Sequence, residues 1–139
     1  MITEITPGQA LCHLFFHCCA KDGMFEEGEI DYVAAKFVEL DMNRSLDFKN
    51  EVSLYYEERR KLPDEREYII HLLKIINPVN TLALFSWCVE ICLSDELISI
   101  DEDHLLDTIA SLLETGETEK KIIKAVMVER KVAQLKQIV

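Results

Sequence analysis

Apolar residues recur along this chain at the spacing of α-helices, and the alternation typical of a β-strand never persists. Helix-forming residues dominate, and the four Gly and three Pro all fall at predicted helix ends. The pattern therefore predicts an all-α fold with about seven helices and short connections. The predicted helices cover residues 7–21, 26–40, 46–60, 63–76, 78–93, 100–115 and 118–136.

Capping signals mark several of the predicted starts. Thr6 precedes Pro7 and Gln9, so its hydroxyl can cap the first helix while Gln9 closes a capping box. Asn77-Pro78 repeats the order of cap and proline and is interpreted as the start of the fifth helix. The last helix is predicted to turn four apolar side chains inward, those of Ile122, Val126, Val132 and Leu135.

The first and fifth predicted helices are apolar nearly all round, except for one polar stripe each. The stripe of the first helix recurs every fourth residue and consists of Gln9, His13, His17 and Lys21. The matching stripe of the fifth helix consists of Ser86, Glu90 and Ser94. We expect both helices to lie side by side at the centre, each with a single edge in contact with water.

The two segments also share acidic turn residues. Aligning residues 13–40 with 86–113 gives four identities, namely Cys19/Cys92, Asp22/Asp95, Glu29/Glu102 and Leu40/Leu113. The sequence therefore predicts one domain over residues 1–139 with two related halves, 6–60 and 63–136. Helical hairpins in the two halves would be related by a pseudo-twofold axis.

Composition narrows the classes of function. A net charge of −11 argues against binding to nucleic acid or to an anionic membrane surface, and it permits cations and basic protein partners. No apolar run approaches the length of a membrane span, and the N-terminus lacks the pattern of a signal peptide. Five cysteines, odd in number and placed within apolar runs, favour reduced thiols in a cytoplasmic protein.

The segment "CAKDGMFEEGEIDYVAAKF" resembles the signature of the TerB-like family, which is associated with tellurite resistance and with a co-chaperone N-terminus. The residues that match its turn and following helix are Ala20, Asp22, Gly23 and Glu29, with Lys21 inserted. Asp95 and Glu102 form a second copy, with Glu96 where the glycine would be. The resemblance implies an all-helical, duplicated domain, a link to stress responses, and acidic positions that bind metal.

Four acidic residues are candidates for a metal site, namely Asp22, Glu29, Asp95 and Glu102. Their oxygen ligands suit Ca²⁺, Mg²⁺ or Mn²⁺, and the pseudo-twofold axis could bring the two turns together. Helix capping and turn formation account for the same residue types, with Ser99 and Glu102 predicted to form a capping box at the start of the sixth helix, and we favour that interpretation.

His13 and His17 stand four residues apart, which is a spacing that can offer two imidazoles to zinc. The sequence between them, "HLFFH", lacks the glutamate of the zincin motif, so a polar-edge role is favoured. The cysteines are interpreted as small buried apolar residues. No catalytic residue and no required cofactor is predicted, although a divalent cation is one possible ligand.

The sequence thus favours a cytoplasmic, non-enzymatic TerB-like binding module for a protein partner or a divalent cation. The alternative is a metal-dependent hydrolase that uses the acidic cluster or the pair His13 and His17. A third hypothesis is a homodimeric structural protein, which would show an apolar face left over outside the core. The oligomeric state and the identity of the partner do not follow from the sequence.

Overall fold

The protein is all-α. The computed structural model describes residues 4–19, 27–93 and 98–136, and within these ranges it has seven helices and no strand. The helices are α1 (Pro7–Cys19), α2 (Glu27–Glu39), α3 (Phe48–Lys61), α4 (Glu65–Ile76), α5 (Thr81–Cys92), α6 (Ile100–Leu112) and α7 (Glu117–Lys136). Among these described helices, none is both long and apolar enough to cross a membrane.

Two predicted capping boxes are present. The backbone N–H of Thr6 donates to Gln9 Oε1 at 2.9 Å, and the N–H of Gln9 donates to Thr6 Oγ1 at 3.1 Å. Ser99 and Glu102 make the same reciprocal pair at the start of α6. Each pair satisfies backbone donors that the first turn of a helix leaves without partners.

The predicted start of the fifth helix is wrong by three residues. Asn77 adopts a left-handed conformation with φ 46° and ends α4, because its N–H donates to Leu73 O. Asparagine tolerates this conformation at a helix C-terminus as well as serving as an N-cap. The N-cap of α5 is instead Asn80, whose side chain accepts from the N–H of Ala83 at 2.9 Å.

The chain divides into two compact units, Met1–Pro78 and Val79–Val139. In the first unit α1 packs against α2, α3 and α4, and every residue from 10 to 18 is buried. Aromatic rings fill the space around α1: Phe15 meets Phe37 at 5.8 Å, and Phe16 meets Tyr55 at 6.3 Å, both edge to face. Burial of so much apolar surface makes α1 the central element of this unit.

In the second unit α5 packs against α6 and α7. The buried residues of α5 are Leu84, Phe85, Cys88, Val89, Ile91 and Cys92. Those of α6 are Leu105, Leu106, Ile109 and Ala110. The predicted single domain with halves 6–60 and 63–136, and the predicted pairing of the first and fifth helices, stay predictions.

The last helix does not face inward as predicted. No residue of α7 is buried, and Ile122, Val126 and Leu135 are 57%, 50% and 57% exposed. Ion pairs to α6 explain the orientation: Lys124 pairs with Asp103, and Lys120 pairs with Asp107 at 3.2 Å. Because Lys120 and Lys124 lie towards α6, Ile122 and Val126 turn outward, whereas Val132, the fourth residue predicted to face inward, is half-buried.

The cysteines are reduced and mostly buried, as predicted from the sequence. Four of the five are buried, Cys19 is half-buried, and none forms a disulfide. Burial raises the pKa of the Cys12 thiol well above its usual range, which keeps this thiol protonated.

Candidate functional site

The two histidines of α1 are buried and do not face water. His13 is 0% exposed and His17 is 4% exposed, so the predicted water-facing edge of α1 is wrong at both. Their partners come from α3 and α4, at separations of 38 and 48 residues in sequence. A buried polar side chain is stable only when it is hydrogen-bonded, and these two helices supply the bonds.

The first half of this polar cluster is built around Glu51 of α3. The residue is 3% exposed, and His13 Nε2 lies 2.8 Å from its Oε1. Gln9 Nε2 donates to its Oε2 at 3.1 Å. Because Gln9 and His13 lie one helical turn apart on α1, the Nε2 atoms of both side chains reach the carboxylate of Glu51.

The protonation of His13 follows from its surroundings. Burial lowers its pKa below the ordinary value of 6.5, and the hydrogen bond and charge of Glu51 oppose that change without cancelling it. We therefore assign a neutral imidazole that donates its Nε2–H to Glu51. Its other nitrogen, Nδ1, is buried and has no hydrogen-bond partner in the described part of the chain.

The second half of the cluster is a chain of three side chains. His17 Nδ1 lies 2.7 Å from the Tyr55 hydroxyl, and His17 Nε2 lies 2.9 Å from Glu65 Oε2. Burial raises the pKa of Tyr55 well above its usual range, so its phenol stays protonated and shares a hydrogen bond with Nδ1. The imidazole then donates Nε2–H to Glu65, and both of its nitrogens are used.

This order of carboxylate, imidazole and hydroxyl is chemically suggestive because catalytic triads share it. A nucleophile must be reachable, however, and Tyr55 is only 3% exposed. The high pKa of the buried phenol also disfavours the phenolate that would attack a substrate. The hydrogen-bonded side chains of Glu65, His17 and Tyr55 therefore join α1 to α3 and α4. The buried Tyr55 hydroxyl leaves no open position for a reacting group.

The predicted zinc pair is not assembled as a shared site. His13 and His17 stand one turn apart on α1, but their Nε2 atoms contact different carboxylates, Glu51 and Glu65. Across residues 4–19, 27–93 and 98–136 no group of three or more His, Cys, Asp or Glu side chains is placed to hold a metal ion.

The acidic candidates are only partly described. Asp22 and Asp95 lie outside the described residues. Glu29 lies in the first turn of α2 and is 6% exposed, whereas Glu102 lies in the first turn of α6 and bonds the backbone of Ser99 at 2.9 Å. Glu29 and Glu102 belong to different units, and the capping role predicted for Glu102 is present.

A surface groove lies where α3 ends and the chain turns into α4. Its lining residues are Tyr56, Arg59, Arg60 and Pro63. Arg59 is fixed because Nη1 donates to Leu62 O at 2.8 Å and to Pro63 O at 2.6 Å. Its guanidinium also lies 5.3 Å from the ring centroid of Tyr68, a distance at which a cation is attracted to an aromatic face.

Arg60 completes the groove. Its Nε donates to Tyr56 O at 3.3 Å, and this is its one hydrogen bond within the described residues. The residue is exposed, so its two terminal nitrogens are available to a carboxylate or another anion. The available sequence signal was the run "YEERRKLP" from Tyr56 to Pro63, in which three consecutive basic residues follow two glutamates. It was missed because basic residues in a last turn already stabilise a helix.

Comparison with protein-family models, with curated proteins and with solved structures gives no match to this chain. Function must therefore be argued from two features, the enclosed polar cluster around α1 and the open arginine groove at the end of α3.

Proposed function

We propose that this chain is a cytoplasmic, non-enzymatic helical binding module of the TerB-like kind, and that it binds an acidic segment of a protein partner. The observation that supports the proposal is the arginine groove of Tyr56, Arg59, Arg60 and Pro63. A planar guanidinium recognises a carboxylate with two parallel hydrogen bonds, and an aromatic side wall adds apolar contact.

The charge of the chain makes this groove distinctive. The protein carries a net charge of −11, yet Arg59, Arg60 and Lys61 follow one another at the end of α3. Lys61 pairs with Glu58 of the same helix at 3.6 Å, so Arg59 and Arg60 are the cations that an acidic ligand would meet in the groove. Such a contrast favours a defined binding orientation.

The groove is also prepared before any ligand arrives. Arg59 is held by two backbone carbonyls and by the ring of Tyr68, so its guanidinium loses little further freedom on binding. Arg60 stays exposed and makes the adjustable contact.

The hydrolase alternative has less support. Its histidine pair, His13 and His17, is enclosed and hydrogen-bonded to Glu51 and Glu65, whereas an enzyme needs an open pocket where such groups converge. A stress-related role and a divalent-cation ligand are further proposals that rest on the family resemblance.

A two-step experiment tests the arginine groove. A photo-crosslinking amino acid is placed at position 56, and in a control protein at position 74 of α4, where Lys74 is exposed. Cross-linking is carried out in the source cells, and the cross-linked partner segments are identified by mass spectrometry. A peptide with the sequence of the identified segment is then synthesised.

The peptide is then titrated calorimetrically into the wild-type protein, Arg60→Glu and the matched charge reversal Lys74→Glu. We expect a carboxylate-rich peptide, at least about tenfold weaker binding to Arg60→Glu, and unchanged binding to Lys74→Glu. Equal cross-linking from both positions, or equal affinity for the two variants, would contradict the proposal.

A further inference from the structure

The outer face of α7 combines two exposed apolar residues with exposed charged residues. Ile122 is 57% exposed and Val126 is 50% exposed, one helical turn apart. Four charged residues lie nearby on α7, namely Glu119, Lys121, Glu129 and Arg130, and all are exposed. None of the four makes an ion pair within the described part of the chain.

The orientation that exposes this face is fixed by α6. Lys120 and Lys124 lie on the opposite side of α7 and pair with Asp103 and Asp107. The outer face is therefore a stable feature of the second unit, and rotation of α7 to bury Ile122 would break these ion pairs.

The order of charges along α7 is self-complementary in the antiparallel sense. Suppose that two α7 helices run antiparallel and that Glu119 of one lies opposite Arg130 of the other. The twofold axis that relates them then passes between residues 124 and 125. If Ile122 of one helix lies opposite Val126 of the other, the axis passes level with residue 124. One twofold axis near this position therefore serves both pairs.

The helical positions agree with the same axis. At 100° per residue, Glu119 and Arg130 lie about 40° and 60° to one side of the midpoint between Ile122 and Val126, whereas Lys121 lies about 120° to the other side and points away from a partner helix. In an antiparallel helix pair related by a twofold axis, each border of one helix faces the same border of its partner. The border that carries Glu119 and Arg130 then joins opposite charges.

We infer that the outer face of α7 binds a second copy of this chain through an antiparallel, twofold-symmetric pairing of the two α7 helices. The proposal uses only residues of the second unit and is independent of the arginine groove. α7 contains six basic and three acidic residues, so it does not share the acidic excess that gives the chain its net charge of −11. One helix pair is a small interface, and the dimer is accordingly expected to be weak and reversible.

Mixed-cysteine cross-linking tests the geometry, in a Cys19→Ala background that removes the one half-buried native thiol. Ile122→Cys and Val126→Cys proteins are mixed and oxidised, and each is also oxidised alone. We expect the mixed 122–126 disulfide to exceed either self-disulfide several-fold. A mixture of Leu82→Cys and Val126→Cys serves as the control, since Leu82 is exposed on α5.

Sedimentation equilibrium with charge variants gives an independent measurement. Glu119→Arg opposes like charges at two symmetric positions and should weaken the dimer roughly tenfold. Adding Arg130→Glu to that variant restores both pairs and should restore the affinity. Preferential 122–122 and 126–126 disulfides, a chain that stays monomeric into the millimolar range, or dimerisation indifferent to both substitutions would overturn the proposal.

Discussion

Two buried tyrosines allow the contribution of the polar cluster around α1 to be measured with a matched pair of variants. Tyr55 is 3% exposed and its hydroxyl is hydrogen-bonded to His17 Nδ1 at 2.7 Å. Tyr68 is 0% exposed, and its hydroxyl has no hydrogen-bond partner within the described residues. Replacing either by Phe removes the same atom from the same aromatic surroundings, since the two rings lie 6.1 Å apart.

The expected effects differ in size. Tyr55→Phe leaves the Nδ1 of His17 without the Tyr55 hydroxyl inside the core, and a buried polar atom that loses its hydrogen bond costs about 1–3 kcal/mol. Tyr68→Phe removes a hydroxyl that is already buried without a partner, so the free energy of unfolding should be unchanged or slightly higher. Burial raises the pKa of both phenols far above neutrality, so neither effect is mixed with ionisation at pH 7.

Urea unfolding followed by far-UV circular dichroism is the assay. With a slope of 1–3 kcal/mol per molar urea, Tyr55→Phe should lower the midpoint by roughly 1 M, while Tyr68→Phe should leave it in place. Equal slopes for the two variants ensure that the midpoints compare stability. A Tyr55→Phe midpoint no lower than that of Tyr68→Phe would refute the assigned hydrogen bond.

Three further outcomes are expected. The imidazole of His13 binds a proton more readily in the unfolded than in the folded protein, so the free energy of unfolding should fall as the pH drops below about 6.5. The fall should be at most about 1.4 kcal/mol per pH unit. In denaturation measured at several pH values, His13→Gln should flatten that slope. A bulky maleimide should label Cys19 first in the native protein and leave buried Cys12 protected; rapid labelling of most thiols, seen by intact-mass analysis, would be inconsistent with the packing. Glu102→Ala should lower the free energy of unfolding by about 0.5–1 kcal/mol, equally with and without Mg²⁺, Ca²⁺ or Mn²⁺, because the helix start loses its capping carboxylate. A saturable rise in Tm with one of these ions, abolished in Asp22→Asn, would show a cation site instead of capping.

Local features of the structure could be predicted from the sequence. The helical period and the paired caps Thr6–Gln9 and Ser99–Glu102 involve residues at most four apart, and they correctly gave the all-α class and two helix starts. Asn77 shows where local reasoning fails. The same side chain suits a helix start and a left-handed helix end, and only the backbone conformation decides between them.

The two larger errors have a common physical cause. A polar residue on an apolar helix can face water or face a polar partner from elsewhere in the chain, and periodicity is identical in both cases. Glu51 reaches His13 from 38 residues away, and Asp103 similarly draws Lys124 towards α6. Pairings of this kind depend on tertiary packing, so neither the buried histidines nor the outward apolar face of α7 could be deduced from spacing.

The burial of α1 has a consequence for biosynthesis. Its segment from residue 10 to residue 18 is buried only once α3 and α4 have been made, and α4 ends at Ile76. At typical translation speeds of 5–20 residues per second, roughly 3–11 s separate synthesis of Cys19 from synthesis of Ile76. The same delay separates the emergence of these two residues from the ribosome, and during it the apolar α1 segment is outside the ribosome without the helices that later cover it. Chaperone contact and aggregation of the nascent chain should therefore concentrate on α1, and both should be sensitive to the rate at which codons 20 to 76 are translated.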